Sequence, residues 1–192
     1  LTFSLISMSF PISSLGRASA ATSDRNMTGK TMTETSNNFP PEAPANCDLC
    51  PRLVAYRSRN RLDHPGWFNA PVPSFGDKKA ELLVIGLAPG VTGANKTGRP
   101  FTGDHAGILL YKTLYKFGLS SASESRPGDD LCLKDCAVTN AVKCLPPENK
   151  PVAAEVNTCR TFLINELEAV PSKGVILVLG KVAHDSVVRS LN

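Results

Sequence analysis

The sequence predicts an α/β domain built on a parallel sheet, and three observations predict it. First, apolar runs of strand length, Leu82-Leu83-Val84-Ile85, Cys136-Ala137-Val138-Thr139-Asn140-Ala141-Val142 and Val175-Ile176-Leu177-Val178-Leu179, alternate with stretches whose apolar residues recur at helical spacing. Strands alternating with helices imply a parallel sheet covered on both faces. Second, a loop rich in Gly and Pro follows the first run, at the carboxyl end of a strand, where open α/β sheets bind ligands. Third, the 192 residues are 42% hydrophobic and 20% charged, which describes a globular chain with length for one sizeable core and hardly for two.

Residues 1–44 stand apart in composition, being rich in Ser, Thr, Asn and Pro. Their opening run, Leu1 to Phe10, imitates a signal peptide with Ala18-Ser19-Ala20 as its cleavage site. No basic residue precedes that run and Pro11 interrupts it, so the segment reads as a disordered tail or a spurious upstream extension, with Met27 and Met32 as alternative starts. Arg17, Arg25 and Lys30 cancel Asp24, Glu34 and Glu42, so the net charge of +4 belongs to residues 45–192. That excess is compatible with a polyanionic partner. No apolar run is long enough to cross a membrane, and a cytoplasmic location is expected.

The domain opens at Asn46 with a Cys-containing turn and a short basic helix, Leu53 to Arg57. A Pro/Gly/Trp-rich loop, 64–77, leads to a strand over 82–87 and the glycine loop. A helix is predicted over 105–117 from Leu110, Leu114 and Phe117. After a polar loop, 120–130, comes the strand 136–142 and a Pro146-Pro147 turn. Pro151 begins a helix with Val152, Val156, Cys159, Leu163 and Leu167 on one face. The strand 175–179 ends at Gly180 and feeds a last helix.

The glycine loop, Gly86 to Asp104, holds five glycines and two prolines, too many for a packed element. Such a backbone approaches a ligand closely. One aromatic (Phe101), one carboxylate (Asp104) and two cations (Lys96, Arg99) lie within it, a set that suits a nucleotide or a base. The loop matches neither G-x-x-x-x-G-K-[ST] nor G-x-G-x-x-G, which weighs against a phosphate-cradling hydrolase. Asp104 also suits the N-cap of the following helix. Among the six cysteines, Cys47 and Cys50 form a C-x-x-C, Cys144 follows the second strand, and Cys159 lies on the helix beyond. Turns carrying thiolates favour zinc or an iron–sulfur cluster, although Cys159 alone reads as a core thiol. Cys132 and Cys136 read as small residues flanking a strand.

These residues carry a likeness. In Asn46-Cys47-Asp48-Leu49-Cys50-Pro51-Arg52-Leu53-Val54, Asn69-Ala70-Pro71-Val72-Pro73, the loop 86–104, Thr139-Asn140-Ala141-Val142-Lys143-Cys144, Cys159-Arg160 and Leu179-Gly180-Lys181-Val182-Ala183-His184-Asp185, the chain resembles the iron–sulfur uracil-DNA glycosylases, most closely the B-type, family-five branch. The likeness runs over about residues 46–190. It implies a three-layer α/β/α sandwich with a short central parallel sheet, and a monomeric enzyme that flips uracil out of DNA and hydrolyses its N-glycosidic bond. It also implies a [4Fe–4S] cluster on Cys47, Cys50, Cys144 and Cys159, structural in role. By the same resemblance Phe101 stacks on the flipped base within a pocket that includes Gly86 and Ala88, and Asn140 reads its edge. Asp104 assists bond cleavage, and Lys96 and Arg99 meet phosphate. The family's first motif usually carries a polar or acidic residue where this chain has Ala88, as in the B-type branch, which accepts further deaminated bases such as hypoxanthine.

The resemblance also marks a departure. The family continues into a further strand and a His-Pro-Ser loop, whereas His64, His105 and His184 lie outside such a context. The sheet is therefore expected to lack its last strand, and the chain to be a fragment of a longer reading frame. The alternative is a catalytically impaired iron–sulfur DNA-binding module. Codons for His-Pro-Ser downstream in frame would decide between the two.

Overall fold

A computed structural model describes residues 3–7, 41–77 and 79–191 of the chain, with residues 3–7 described by their backbone. In chain order the elements are β1 (Phe3–Ser7), α1 (Pro51–Asp63), β2 (Phe75–Gly76), β3 (Leu82–Gly86), α2 (Ala94–Thr97), α3 (His105–Lys116), β4 (Cys136–Asn140), α4 (Ala153–Glu168), β5 (Val175–Leu179) and α5 (Lys181–Ser190), with a 3₁₀ turn over Pro147–Asn149 before α4. The sheet order is β1-β5-β3-β4-β2. Its centre, β5-β3-β4, is parallel, as expected from the alternation of elements.

Side-chain alternation sorts the sheet into two faces. Leu83 and Ile85 pack with Leu163 and Leu167 of α4 and Ala183 and Val187 of α5. Val84 and Val138 face the other way, onto Leu110, Tyr111 and Leu114 of α3. A third cluster lies beyond the end of β4, where Leu53 of α1 packs with Val142, Cys144, Val156 and Cys159. The layers are those of an α/β/α sandwich, and the register Gly86↔Asn140 brings the ends of β3 and β4 level.

The edges differ from expectation. Both are antiparallel: β2 pairs with β4, and β1 pairs with β5 through the register Phe3↔Leu179 to Ser7↔Val175. Residues 3–7, read from sequence as part of a disordered or spurious extension, are thus a strand of the sheet. The outer edge of β5 presents unpaired main-chain groups that any extended segment can satisfy, a signal that composition does not carry. The stretch 8–40, with Ala18-Ser19-Ala20, Met27 and Met32, lies outside the described residues. Residues 41–44 adjoin the domain, and Glu42 accepts from Ser74 Oγ at 2.5 Å. Helix α1 is longer than the predicted short helix because Pro51 starts it at N1 and its polar residues Arg57 and Asn60 are buried.

Candidate active site

The ends of β3 and β4 frame a cleft of about 230 Å³ lined by Gly86, Ala88, Phe101, Asp104, Asn140 and Asn149, among others. Its floor is made by an absent side chain. A Cβ on Gly86 would stand 2.5 Å from Phe101 Cζ and 2.6 Å from Asn140 Oδ1, so only glycine lets this ring and this amide converge. Phe101 holds its place at a positive φ of 55°, and the next helix abuts it closely: a Cβ on Gly107 would lie 1.7 Å from the Phe101 carbonyl oxygen. Asn140 is 4% exposed at the strand terminus. Asp104 is the N-cap that its residue type suggested, and it also reaches the cleft. Its Oδ1 caps α3 by accepting from Gly107 N at 2.7 Å, while the carboxylate also borders the cleft. The loop between is anchored by Asn95, whose Nδ2 donates to Asn69 Oδ1 at 2.9 Å and whose N donates to Gly90 O at 3.1 Å.

The two expected phosphate contacts part company. Lys96 is exposed, with Nζ 5.5 Å over the Trp67 ring. Arg99 is committed within the fold: its Nη1 pairs with Asp129 Oδ1 and donates to Ser125 Oγ at 2.9 Å, and its guanidinium lies 4.4 Å over Phe75. The polar loop 120–130 folds back onto the glycine loop and claims that charge, a long-range pairing that residue types do not announce. Burial works to raise the Asp129 pKa, but the Arg126 amide and Arg99 outweigh it and hold the carboxyl below its usual value. No histidine among the described residues lines the cleft: His64 stacks on Trp67 at 3.9 Å, His105 starts α3, and His184 sits on α5.

About the third core cluster, Cys47, Cys50, Cys144 and Cys159 line one hollow with Arg57 and Lys143. Burial pushes the Cys144 thiol up to about 12 and Cys159 to about 11, and it raises Cys50 as well. Two nitrogen donors are aimed at sulfur: Arg57 Nη1 at Cys144 Sγ (3.6 Å) and Lys143 N at Cys159 Sγ (3.3 Å). Among the described residues, no three His, Cys, Asp or Glu side chains converge to hold a metal ion. Four sulfurs that share one hollow, two of them facing N–H donors, nevertheless match in donor chemistry the thiolate set of an iron–sulfur cluster. Arg52 clamps the hollow's two sides, donating to Glu155 Oε1 at 2.7 Å and Oε2 at 2.8 Å. Cys132 is exposed and Cys136 is buried within β4.

The uracil DNA glycosylase superfamily model matches residues 73–191, the span that carries the cleft, the parallel strands and two of the four cysteines. The chain belongs to that superfamily. It is 48% identical over 146 residues to a type-5 uracil-DNA glycosylase of Thermus thermophilus, covering 73% of this chain and 66% of that protein. A type-5 enzyme of Pyrobaculum aerophilum is 44% identical over 151 residues, covering 76% and 66%. A type-4 uracil-DNA glycosylase of Archaeoglobus fulgidus is 37% identical over 113 residues, covering 58% and 49%. The higher identities put the chain on the type-5 side of the superfamily. It spans 66% of the length of the two type-5 relatives.

Within this uracil-DNA glycosylase fold, several residues at the site escaped the sequence reading. Asn149 lines the cleft from a 3₁₀ turn in which it and Glu148 both take positive φ, 55° and 56°. The Pro146-Pro147 pair signalled the turn but not its approach to the cleft. Lys143 is fully buried, its Nζ bound to Glu166 Oε2 at 2.6 Å and Thr139 Oγ1 at 2.6 Å. This pair pins the chain between Asn140 and Cys144. Ala88 lines the cleft and also packs against the cysteine cluster, so the two sites share a wall.

Proposed function

We propose that this protein excises uracil from DNA by hydrolysing the N-glycosidic bond, taking the flipped base into the cleft at the ends of β3 and β4. The observation that carries the reading is the convergence of Phe101 and Asn140 over a glycine that leaves no room for a Cβ. A flat ring offers a stacking face, and an amide offers both a donor and an acceptor to a pyrimidine edge. Bond cleavage builds positive charge on the sugar, which the Asp104 carboxylate at the cleft border is placed to stabilise, and the same group can orient water. Ala88 presents only a methyl group to the cleft, which supports acceptance of other deaminated bases such as hypoxanthine. Lys96, exposed beside the loop, supplies the phosphate contact. Stacking ring, amide, carboxylate and thiols all come from one chain, which supports action as a monomer, and six free cysteines suit the reducing cytoplasm.

The four cysteines are read as the ligands of a [4Fe–4S] cluster. The group would tie the N-terminal Cys pair to the Pro146-Pro147 turn and to α4, and its contribution is structural. Protein purified without oxygen is expected to be brown with about four irons per chain. Cys144→Ser should bleach it and Cys132→Ser should not; a colourless protein with one zinc overturns the assignment.

The test of the activity is release of uracil from U·G, U·A and single-stranded substrates, scored by alkaline cleavage at the abasic site, with hypoxanthine duplexes alongside. Cleavage that slows by about 10²–10³ in Asp104→Asn is the expected result. Binding to every substrate without abasic product would leave the alternative, a DNA-binding iron–sulfur module.

A further inference from the structure

Two cations, Arg57 and Lys143, line the cysteine hollow, and a third, Arg52, ties α1 to α4 beside it; two of these three are matched. Lys143 is neutralised by Glu166, and Arg52 by Glu155. Arg57 is the exception: it is 7% exposed and has no carboxylate partner among the described residues. Its Nη2 donates to the Cys47 carbonyl oxygen at 2.8 Å and its Nη1 to Cys144 Sγ at 3.6 Å, while its Nε is buried with no partner. A guanidinium cannot shed its proton, and a buried unpaired charge is strongly unfavourable. Neutral thiols offer it no compensation; thiolates do. The arginine stands on the wall of the hollow that the four cysteines share.

We propose that Arg57 is the counter-cation of the four-cysteine centre, stabilising an anionic thiolate-ligated cluster by charge and by N–H···S donation from Nη1. The proposal rests on reading the four cysteines as cluster ligands. It makes Arg57 a positioning and tuning residue, not a catalytic one. It also separates the loaded protein, in which the guanidinium is compensated, from the iron-free protein, in which it is not.

Opposite signs in those two forms are the signature that a mere packing role would not give. The experiment compares wild type, Arg57→Met and Arg57→Lys, each as loaded and as iron-stripped protein. In the loaded form, Arg57→Met should lose iron to a chelator roughly 10–100-fold faster, followed by its visible absorbance. Its midpoint potential should move negative, because nearby charge and hydrogen bonds to sulfur set that potential. In the iron-stripped form the same change should raise the melting temperature, since it removes an uncompensated buried charge. Arg57→Lys keeps the charge without the fork and should fall between. Equal melting losses in both forms, unaltered release and potential, or failure of iron-stripped Arg57→Met to fold would each overturn the proposal. Wild-type protein that binds no iron would instead remove the cluster reading itself, and the inference with it.

Discussion

The cleft and the cysteine hollow are neighbours that share Ala88, yet they are built on opposite principles. The cleft is shaped by what is missing. Gly86 omits a Cβ, Gly107 lets α3 start against Phe101, and no hydrogen bond holds the Asn140 side chain among the described residues. The hollow is shaped by surplus: Arg52–Glu155 and Lys143–Glu166 bind its walls, and two N–H donors face its sulfurs. A site for a base that enters and leaves needs open polar groups on a rigid floor. A site for a resident group needs fixed walls and charge balance. Mutations should therefore separate, with cleft changes affecting excision and hollow changes affecting stability.

The sharpest break in that comparison is expected at Lys143. Lys143→Met leaves Glu166 buried without its cation, a loss of about 3–5 kcal/mol when one partner of a buried pair is removed. Lys143→Met with Glu166→Leu should recover much of it, because the orphaned charge goes too. Denaturant melts of the two variants decide the point: if the double variant is no more stable than the single one, packing and not charge balance is what the pair provides.

Asp104→Asn comes next and should act the other way. Asn caps a helix about as well as Asp, so the acceptor for Gly107 N survives and the melting temperature should hardly move. Under the proposed mechanism the negative charge beside the sugar is lost, and removal of one such transition-state contact should lower kcat by about 10²–10³, or about 2.7–4 kcal/mol. Uracil-duplex affinity should stay near wild type. Somewhat smaller is Gly86→Ala, whose Cβ would push the Phe101 ring and the Asn140 amide apart. Those neighbours are side-chain atoms, so the fold can yield, but a misplacement on the order of 1 Å is enough for about a 10²-fold loss of rate. A Gly86→Ala enzyme with undiminished excision would show that Phe101 and Asn140 are not where the base sits.

Sequence made the parallel core legible because its signals are local. Strand β5 ends at Leu179 as the apolar run predicts, and α3 runs from His105 to Lys116 against an expected 105–117. The resemblance to the family also put Gly86, Ala88, Phe101, Asp104 and Asn140 at one site, and all five line the same cleft. What sequence did not show was pairing at long range. Arg99 looks free in the glycine loop until the 120–130 loop supplies Asp129. Arg57 reads as one more basic residue of a helix until the thiols come around it. The edge strands β1 and β2 are too short or too far along the chain from their partners to leave a periodic signal.

The smallest effect concerns acid. Burial works to raise the Glu155 pKa, but Arg52 and the Val152 amide outweigh it, and the carboxyl lies below its ordinary 4.5. A carboxyl depressed in the folded state contributes stability that is fully present above the unfolded value and lost as pH falls through the folded one. The Arg52 clamp on the cysteine side should therefore weaken only below pH 4.5. Glu166 is shifted upward by burial against the pull of Lys143, so its own contribution runs the other way on acidification. Comparing wild type with Glu155→Gln cancels that contribution, because Glu166 is common to both. The gap in melting temperature should be constant from pH 7 to 5 and should narrow as pH drops below 4.5. Arg52 is 42% exposed, so salt should also narrow the gap at neutral pH. A gap that persists unchanged into strong acid would mean that Glu155 acts by shape at the start of α4, and that the two sides of the hollow are held together by the cysteines alone.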